Sequence, residues 1–294
     1  MTKVYYYNSL NKILLNLDDS ICLFANFNNW YNYENLQIEQ LKKYAKSYGL
    51  KTTLLLPINS ESQNKIWNNK NIVKLAKNLK IDQLVFYYVN FVVNSFSEDD
   101  ILNNFKNTLS IKKILITSDY QNAYWEILNR RFFEKKWEKN CIIFKSEQFK
   151  DDYKRIYKKL KESDFNGFKN LTGFDYEISG IISEGKKIGR TIGYPTINIL
   201  IEDDLPLTYG VYGVETYFEQ LDKTFLGAAM YWKNDLNQKV LEVYILDFDK
   251  DVYGWSVDIK LLEKIRNPIK ITSLEDLKKI IKNDVDQIKK IWRR

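Results

Sequence analysis

The chain has 294 residues, enough for one large domain or two of ordinary size. Hydrophobic residues make up 45% of it and aromatic residues 15%, so the chain can bury a substantial core and is not expected to be disordered. Lys and Arg exceed Asp and Glu by 45 to 38, a formal charge of +7. Because acidic residues are scattered among the basic ones, no nucleic-acid partner is expected.

The sequence contains no histidine, which excludes His-based general bases, His metal ligands and Ser-His-Asp sites. The two cysteines, Cys22 and Cys141, lie in apolar strand-like runs, which favours reduced buried thiols and a cytoplasmic location. Polar residues interrupt the apolar run at 10–17, and no segment is long enough to span a membrane. We therefore expect neither a signal peptide nor a membrane span.

Strand-like and helix-like patterns alternate through the first part of the chain. Apolar runs predict strands at residues 21–27, 52–58, 83–93, 113–117 and 141–144. Helical periodicity falls between them, in a helix that ends near Gly49 and in segments 71–79, 99–109, 123–137 and 151–161. This alternation predicts a Rossmann-like parallel sheet with helices on both faces, in a domain of residues 1–161.

The pattern changes after a linker expected at 162–169. Six short strands separated by close turns follow, at 176–182, 194–200, 211–217, 225–231, 241–248 and 256–261. Strands without intervening helices predict a small antiparallel β-barrel, in a domain of residues 162–294. A capping-box signal at Ser273 begins a final helix whose apolar face is expected to pack on the barrel.

A glycine-rich basic loop connects the first two strands of the predicted barrel. Glycines at 185, 189 and 193 let the backbone turn tightly and approach a ligand, and basic residues such as Arg190 suit an anionic one. In the returning strand, Thr196 and Asn198 are two residues apart and share a face. Their hydroxyl and amide oxygens are of the kind that hold magnesium bound to phosphates. From these residues alone, a polar hairpin of a barrel remains an alternative.

The order of these motifs resembles the riboflavin kinase family over roughly residues 175–290. The spacing Gly-x-x-x-x-Gly followed by Gly-Arg-x-x-Gly-Tyr-Pro-Thr-x-Asn is similar to that family's segment for ATP and magnesium. Further matches are Leu205-Pro206, Gly210-Val211-Tyr212, Glu242 with Asp247-Phe248, Asp251 with Tyr253-Gly254, and Ile265-Arg266. The resemblance implies an enzyme that phosphorylates riboflavin to FMN with ATP and Mg²⁺ as its small-molecule partners.

The resemblance also implies roles for individual residues. It assigns Glu242 as the base for the ribityl 5′-hydroxyl, with a strand-end glutamate facing water as the alternative. The implied ligand-binding residues are Gly185, Gly189, Arg190, Gly193, Thr196, Asn198 and Arg266, with Thr196 and Asn198 as metal ligands. For Arg266 the alternative is a surface arginine in a turn. The family's Asn-Ile-Gly flavin segment is replaced at 229–234, where Tyr231 or Trp232 would stack on the isoalloxazine or belong to the core.

In bacterial proteins of this family, a Rossmann-like domain of nucleotidyltransferase type often precedes the kinase domain and transfers AMP to FMN. Its Gly-Asn-Phe-Asp-Gly-x-His-x-Gly-His motif corresponds to residues 25–34, where only Asn26 and Phe27 agree. Tyr31 and Glu34 replace the two histidines, and the loss of each phosphate donor costs roughly a hundredfold. A later closing segment, near 152–156, also departs from the family pattern. We therefore predict a degenerate adenylyltransferase domain; a bifunctional enzyme making FAD and a non-catalytic flavin- or nucleotide-binding protein remain alternatives.

Overall fold

The structure is a computed structural model that describes residues 1–8, 15, 17–24, 30, 32–58, 66–67, 69–118, 120, 127–145, 152–185, 187–202 and 204–292. The chain forms two compact units. The first comprises Met1–Gln63 and Asn69–Asp152, and the second comprises Asn64–Asn68 and Tyr153–Arg294. The sequence predicted a boundary at 161/162. The structure instead groups residues 153–161 with the second unit.

The first unit contains a six-stranded sheet whose observed pairings are all parallel. Its strand order is β1-β4-β3-β2-β5-β6, where the strands are β1 (Lys3–Tyr7), β2 (Ser20–Phe24), β3 (Lys51–Ile58), β4 (Gln83–Tyr88), β5 (Ile111–Thr117) and β6 (Cys141–Phe144). The predicted Rossmann-like parallel sheet is confirmed. The sequence did not predict β1, an edge strand whose side chains are exposed or only partly buried.

The helices of this unit are α1 (Asn32–Tyr48), α2 (Asn69–Asn78), α3 (Phe91–Asn94), α4 (Glu98–Asn103) and α5 (Arg130–Trp137). A capping box between Ser97 and Asp100 begins α4, which continues as a π-helical turn through residue 108. The predicted strand 83–93 was too long, because the Asn90 side chain caps a short helix there. Residues 123–126 of the predicted helix 123–137 lie outside the described residues, and its later part forms α5.

Both cysteines are free thiols, as expected. Cys22 is fully buried in the sheet, and this burial raises its thiol pKa far above the usual range. Burial also raises the pKa of Cys141 to about 11, with a smaller contribution from Glu134. Neither thiol is therefore ionised near neutral pH.

The second unit is built around a closed antiparallel barrel of six strands in the order β10-β11-β8-β7-β12-β9. The strands are β7 (Glu177–Ser183), β8 (Thr196–Ile201), β9 (Gly210–Phe218), β10 (Lys223–Lys233), β11 (Lys239–Ile245) and β12 (Ser256–Arg266). The predicted six-stranded barrel is confirmed. Its helices are α6 (Asp152–Lys161), α7 (Phe165–Thr172), the short α8 (Ile188–Thr191) and α9 (Leu274–Trp292).

Helix α7 occupies most of the segment that was predicted to be a linker. The Asp164 carboxylate accepts the Gly167 backbone N–H at 2.7 Å, and the helix ends at Gly173 with φ +78°. Phe168 is fully buried and packs against Trp67 and Tyr176, with ring centroids 5.4 Å apart in each pair. Local capping and this aromatic packing make the segment part of the second unit's core.

Helix α9 packs on the outside of the barrel, as expected. Val285 and Ile288 are buried, and the Trp292 ring lies over Gly213, where an added Cβ would approach it to 2.7 Å. Within the parts of the chain that the structure describes, no helix combines the length and apolar character needed to cross a membrane.

Candidate functional site

The pairing of the barrel strands places several predicted site residues in one row. In an antiparallel sheet, directly opposed residues have side chains on the same face. Asn198 of β8 is opposite Glu242 of β11, which is opposite Met230 of β10. The row continues through Val211 of β9 to Arg266 of β12. Asn198, Glu242 and Arg266 therefore lie on one face although up to 68 positions separate them in the sequence.

Thr196 joins this row through a direct hydrogen bond. Its hydroxyl donates to Glu242 Oε1 at 2.8 Å. Leu241 and Val243, which alternate with Glu242 along β11, are fully buried and fill the barrel. Thr196, Asn198 and Glu242 thus present a hydroxyl, an amide and a carboxylate on the outer face of two adjacent strands.

The preceding loop needs glycine at three positions. A Cβ at Gly185 would lie 2.2 Å from the Asn198 side-chain nitrogen, so the backbone approaches the amide closely. A Cβ at Gly189 would lie 2.2 Å from the Tyr194 carbonyl oxygen. Gly193 has φ +86°, a conformation that side chains disfavour. The loop is therefore held tightly against the strand that carries Thr196 and Asn198.

An apolar cavity of about 250 Å³ lies between the outer face of the barrel and α9. Glu242, Thr196 and Gly189 line it together with Tyr244. Its other walls are largely hydrophobic and consist of Ala228, Met230 and Trp232 from β10, Val211 from β9, Ile188, and Ile269, Ile271, Leu277 and Ile281 from α9 and the segment before it. Such a surface, with a few polar groups at one place, suits a flat aromatic ligand that also carries a polar chain.

A second cavity of about 340 Å³ lies at the end of the barrel where β8 begins and β11 ends. It combines Ile197, Val243 and Ile245 with polar residues, among them Arg190 and Tyr253. Thr196 is the residue that lines both cavities. Arg190 lines the second cavity and Glu242 lines the first, and Thr196 contributes to both.

Arg266 is fixed in the wall of the apolar cavity. Its Nε and Nη2 donate to the two carboxylate oxygens of Asp284 at 2.8 Å each, and its Nη1 donates to the Asn267 carbonyl at 3.1 Å. The Asp284 side chain is only 8% exposed. Sequence reasoning did not identify this partner, although a carboxylate on the apolar face of α9, between Ile281 and Ile288, was an available signal.

Of the tyrosines on two neighbouring strands, Tyr244 of β11 lines the apolar cavity and Tyr231 of β10 is buried in the fold. Tyr244 lines the apolar cavity, and burial, assisted by Tyr194 and Asp247, raises its pKa, so the phenol remains protonated. Tyr231 is 2% exposed and packs on Tyr209 inside the fold, which removes it as a stacking partner, whereas Trp232 lines the cavity.

The predicted adenylyltransferase motif falls largely on residues that the structure does not describe, namely 25–29 and 31. Trp30 is fully buried and donates its indole N–H to Asn35 Oδ1 at 2.9 Å. Glu34, at the position of the second family histidine, is 6% exposed in α1. Arg155, from the predicted closing segment, lies in α6, which groups with the second unit.

Comparisons with known proteins agree with this architecture. The riboflavin kinase (flavokinase) family model matches residues 172–292, from the end of α7 through α9. The bifunctional riboflavin kinase/FMN adenylyltransferase of Buchnera aphidicola subsp. Schizaphis graminum is 28% identical over 97% of each chain. The protein of the same name from Haemophilus influenzae is 38% identical over 46% of this chain and 44% of its own.

Among solved structures, a crystal structure described as a macrolide-efflux protein from Streptococcus pneumoniae has a TM-score of 0.73. It is 21% identical and the match covers 98% of this chain and 99% of that chain. At this identity the likeness shows a shared fold across both units.

Proposed function

We propose that this chain is a member of the riboflavin kinase family, in the two-domain arrangement of the bifunctional riboflavin kinase/FMN adenylyltransferases, and that it phosphorylates the 5′-hydroxyl of riboflavin with ATP to give FMN. The observation that carries the assignment is the hydrogen bond from Thr196, which lines both cavities, to Glu242, which lines the apolar one. The apolar cavity suits the flavin rings, and the loop carrying Arg190 suits the phosphates of ATP.

In this reaction Glu242 accepts the proton of the 5′-hydroxyl while that oxygen attacks the γ-phosphorus. The bond from phosphorus to the bridging oxygen breaks and ADP leaves. Thr196 holds one carboxylate oxygen of Glu242, which leaves the other oxygen for the substrate hydroxyl. The Arg266–Asp284 pair places a fixed cation in the wall of the same cavity.

Magnesium fits the donor set of this site. A hydroxyl and an amide oxygen are hard ligands, and the absence of a side chain at Gly185 leaves room for the Asn198 amide. Thr196 and Asn198 would hold the ion, with the ATP phosphates completing its shell. When bound, the ion neutralises charge on the phosphates during transfer.

We propose that the first unit no longer makes FAD. Its motif lacks both histidines, and the chain contains no other histidine that replaces them. The second candidate, a bifunctional enzyme, is favoured by the names of relatives that match 97% of the chain. We expect the enzyme to act in the cytoplasm on small molecules, without a nucleic-acid partner.

Two incubations separate these candidates. Purified protein with riboflavin, ATP and Mg²⁺ should form FMN, which chromatography resolves from riboflavin. The same protein with FMN and ATP should form no FAD. FAD in the second reaction would establish the bifunctional alternative, and flavin left unchanged in the first would refute the kinase.

The role of Glu242 is tested by Glu242→Gln. We expect turnover to fall by about 10²- to 10⁴-fold, because the amide cannot accept the proton, while riboflavin still binds. Glu215→Gln is the control: Glu215 lies on β9 and pairs with Lys260 at 3.1 Å, so its loss should leave turnover unchanged. Equal turnover in both variants would remove Glu242 as the base.

A further inference from the structure

Trp232 differs from the other residues that β10 contributes to the apolar cavity. The cavity-lining residues of this strand are Ala228, Met230 and Trp232. Only Trp232 carries a polar atom, its indole N–H.

The indole nitrogen of Trp232 is buried and has no hydrogen-bond partner among the residues that the structure describes. A buried donor without an acceptor destabilises the protein, because its hydrogen bond to water is lost on folding and no hydrogen bond within the protein replaces it. The side chain as a whole is only partly buried and borders the cavity. A ligand carbonyl in the cavity would supply the missing acceptor once the indole ring turns its N–H toward the cavity.

Two other donors at this cavity, those of Thr196 and Arg266, already have acceptors. Thr196 donates to Glu242, and the Arg266 guanidinium donates to Asp284 and to the Asn267 carbonyl. Trp232 is two residues along β10 from Met230, which is opposite Glu242. The indole therefore lies about 7 Å along the strand from the row of the proposed base. That separation leaves it beside the ring system when the ribityl end is at Glu242.

We propose that Trp232 determines flavin specificity by donating its N–H to a carbonyl oxygen of the isoalloxazine pyrimidine ring. This inference rests on the proposed function, because it takes the flavin to occupy the apolar cavity. It distinguishes hydrogen bonding from stacking: phenylalanine at this position keeps an aromatic face but lacks the donor. The ligand class is a fused-ring system with an exposed carbonyl, and the hydroxylated chain is not needed for this contact.

Lumichrome tests the contact directly, because it keeps both ring carbonyls and lacks the ribityl chain. We expect Trp232→Phe to bind lumichrome and riboflavin about fivefold more weakly, the value of one neutral hydrogen bond. The melting temperature of the ligand-free variant should not fall, because the substitution removes an unsatisfied donor. The control is Trp137→Phe, since Trp137 also has a buried N–H without a partner in the described structure but belongs to the core of the first unit. Its flavin affinity should equal that of the wild type.

Unchanged lumichrome and riboflavin affinity in Trp232→Phe would overturn the inference, as would riboflavin binding by a wild-type protein that does not bind lumichrome. If the wild type binds neither and forms no FMN, the proposed function itself fails. Should Trp232→Phe not fold, wild-type affinity for 2-thio- and 4-thioriboflavin decides the question. Sulfur accepts hydrogen bonds weakly, so one of the two analogues should lose a similar factor; equal binding of both and of riboflavin would refute the contact.

Discussion

Gly185→Ala is expected to move the Asn198 amide without changing the stability of the barrel. The new Cβ would lie 2.2 Å from the Asn198 side-chain nitrogen, so the amide must move by roughly 1 Å to reach van der Waals distance. The amide is at the end of a side chain, and its displacement costs little stability. A misplacement of about 1 Å at a catalytic centre lowers the rate by about 10²-fold. We therefore expect kcat/KM for ATP to fall by about that factor.

Gly180→Ala is a matched control, because its Cβ would meet Ile199 Cγ2 at 2.3 Å, an equally severe overlap. Here the neighbour is a buried aliphatic side chain, and such overpacking costs about 1–3 kcal/mol of stability. Coupled steady-state kinetics and thermal unfolding of both variants provide the assay. We expect Gly185→Ala to melt near the wild-type temperature and lose turnover, and Gly180→Ala to show the reverse. Full turnover in folded Gly185→Ala would refute the view that Asn198 must be held in place.

Three further changes test other parts of the structure. Trp67→Ala should lower the unfolding free energy of the second unit by about 3–5 kcal/mol, because the indole is 1% exposed among aromatic rings; an unchanged denaturation midpoint would contradict this. Asp284→Asn should lower kcat/KM for riboflavin by about tenfold, since Arg266 loses its charged bidentate partner, and steady-state kinetics that match the wild type would exclude that role. With saturating Mg-ATP, kcat should be nearly flat from about pH 6.5 to 8.5, because the chain lacks histidine, the Cys141 pKa is about 11 and burial raises that of Tyr244; a steep step near pH 7 would indicate an unidentified group.

The sequence predicted the elements that local patterns determine. The alternation of strands and helices identified the parallel sheet, and six short runs identified the barrel. The two-residue spacing of Thr196 and Asn198 was enough to predict that they share a face of one strand. What the sequence did not predict depends on distant partners: the edge strand β1, the burial of α7 against Trp67, and the pairing of Arg266 with Asp284. Each is decided by a tertiary neighbour, and only the pairing of Arg266 left a signal in the sequence, the carboxylate of Asp284 on the apolar face of α9.

The register of β8 against β11 connects the fold to the proposed chemistry. Glu242 is opposite Asn198, whereas both sequence neighbours of Asn198, Ile197 and Ile199, face the barrel interior. A slip of one residue would place the carboxylate opposite an inward-facing isoleucine and bring apolar side chains to the surface. The hydrophobic core that stabilises the barrel therefore also fixes the distance between the proposed base and the proposed metal ligands.

The same reasoning gives a structural role to residues 64–68, which lie in the sequence between the two parts of the first unit. The chain leaves that unit after residue 63, contributes 64–68 to the second unit, and then returns. Trp67 from this segment packs in the aromatic cluster that includes Phe168, Phe174 and Tyr176. A chain that began at residue 153 would lack this indole and leave a cavity in the core of the second unit. The stability of the second unit therefore depends on a segment that lies, in the sequence, between the two parts of the first unit.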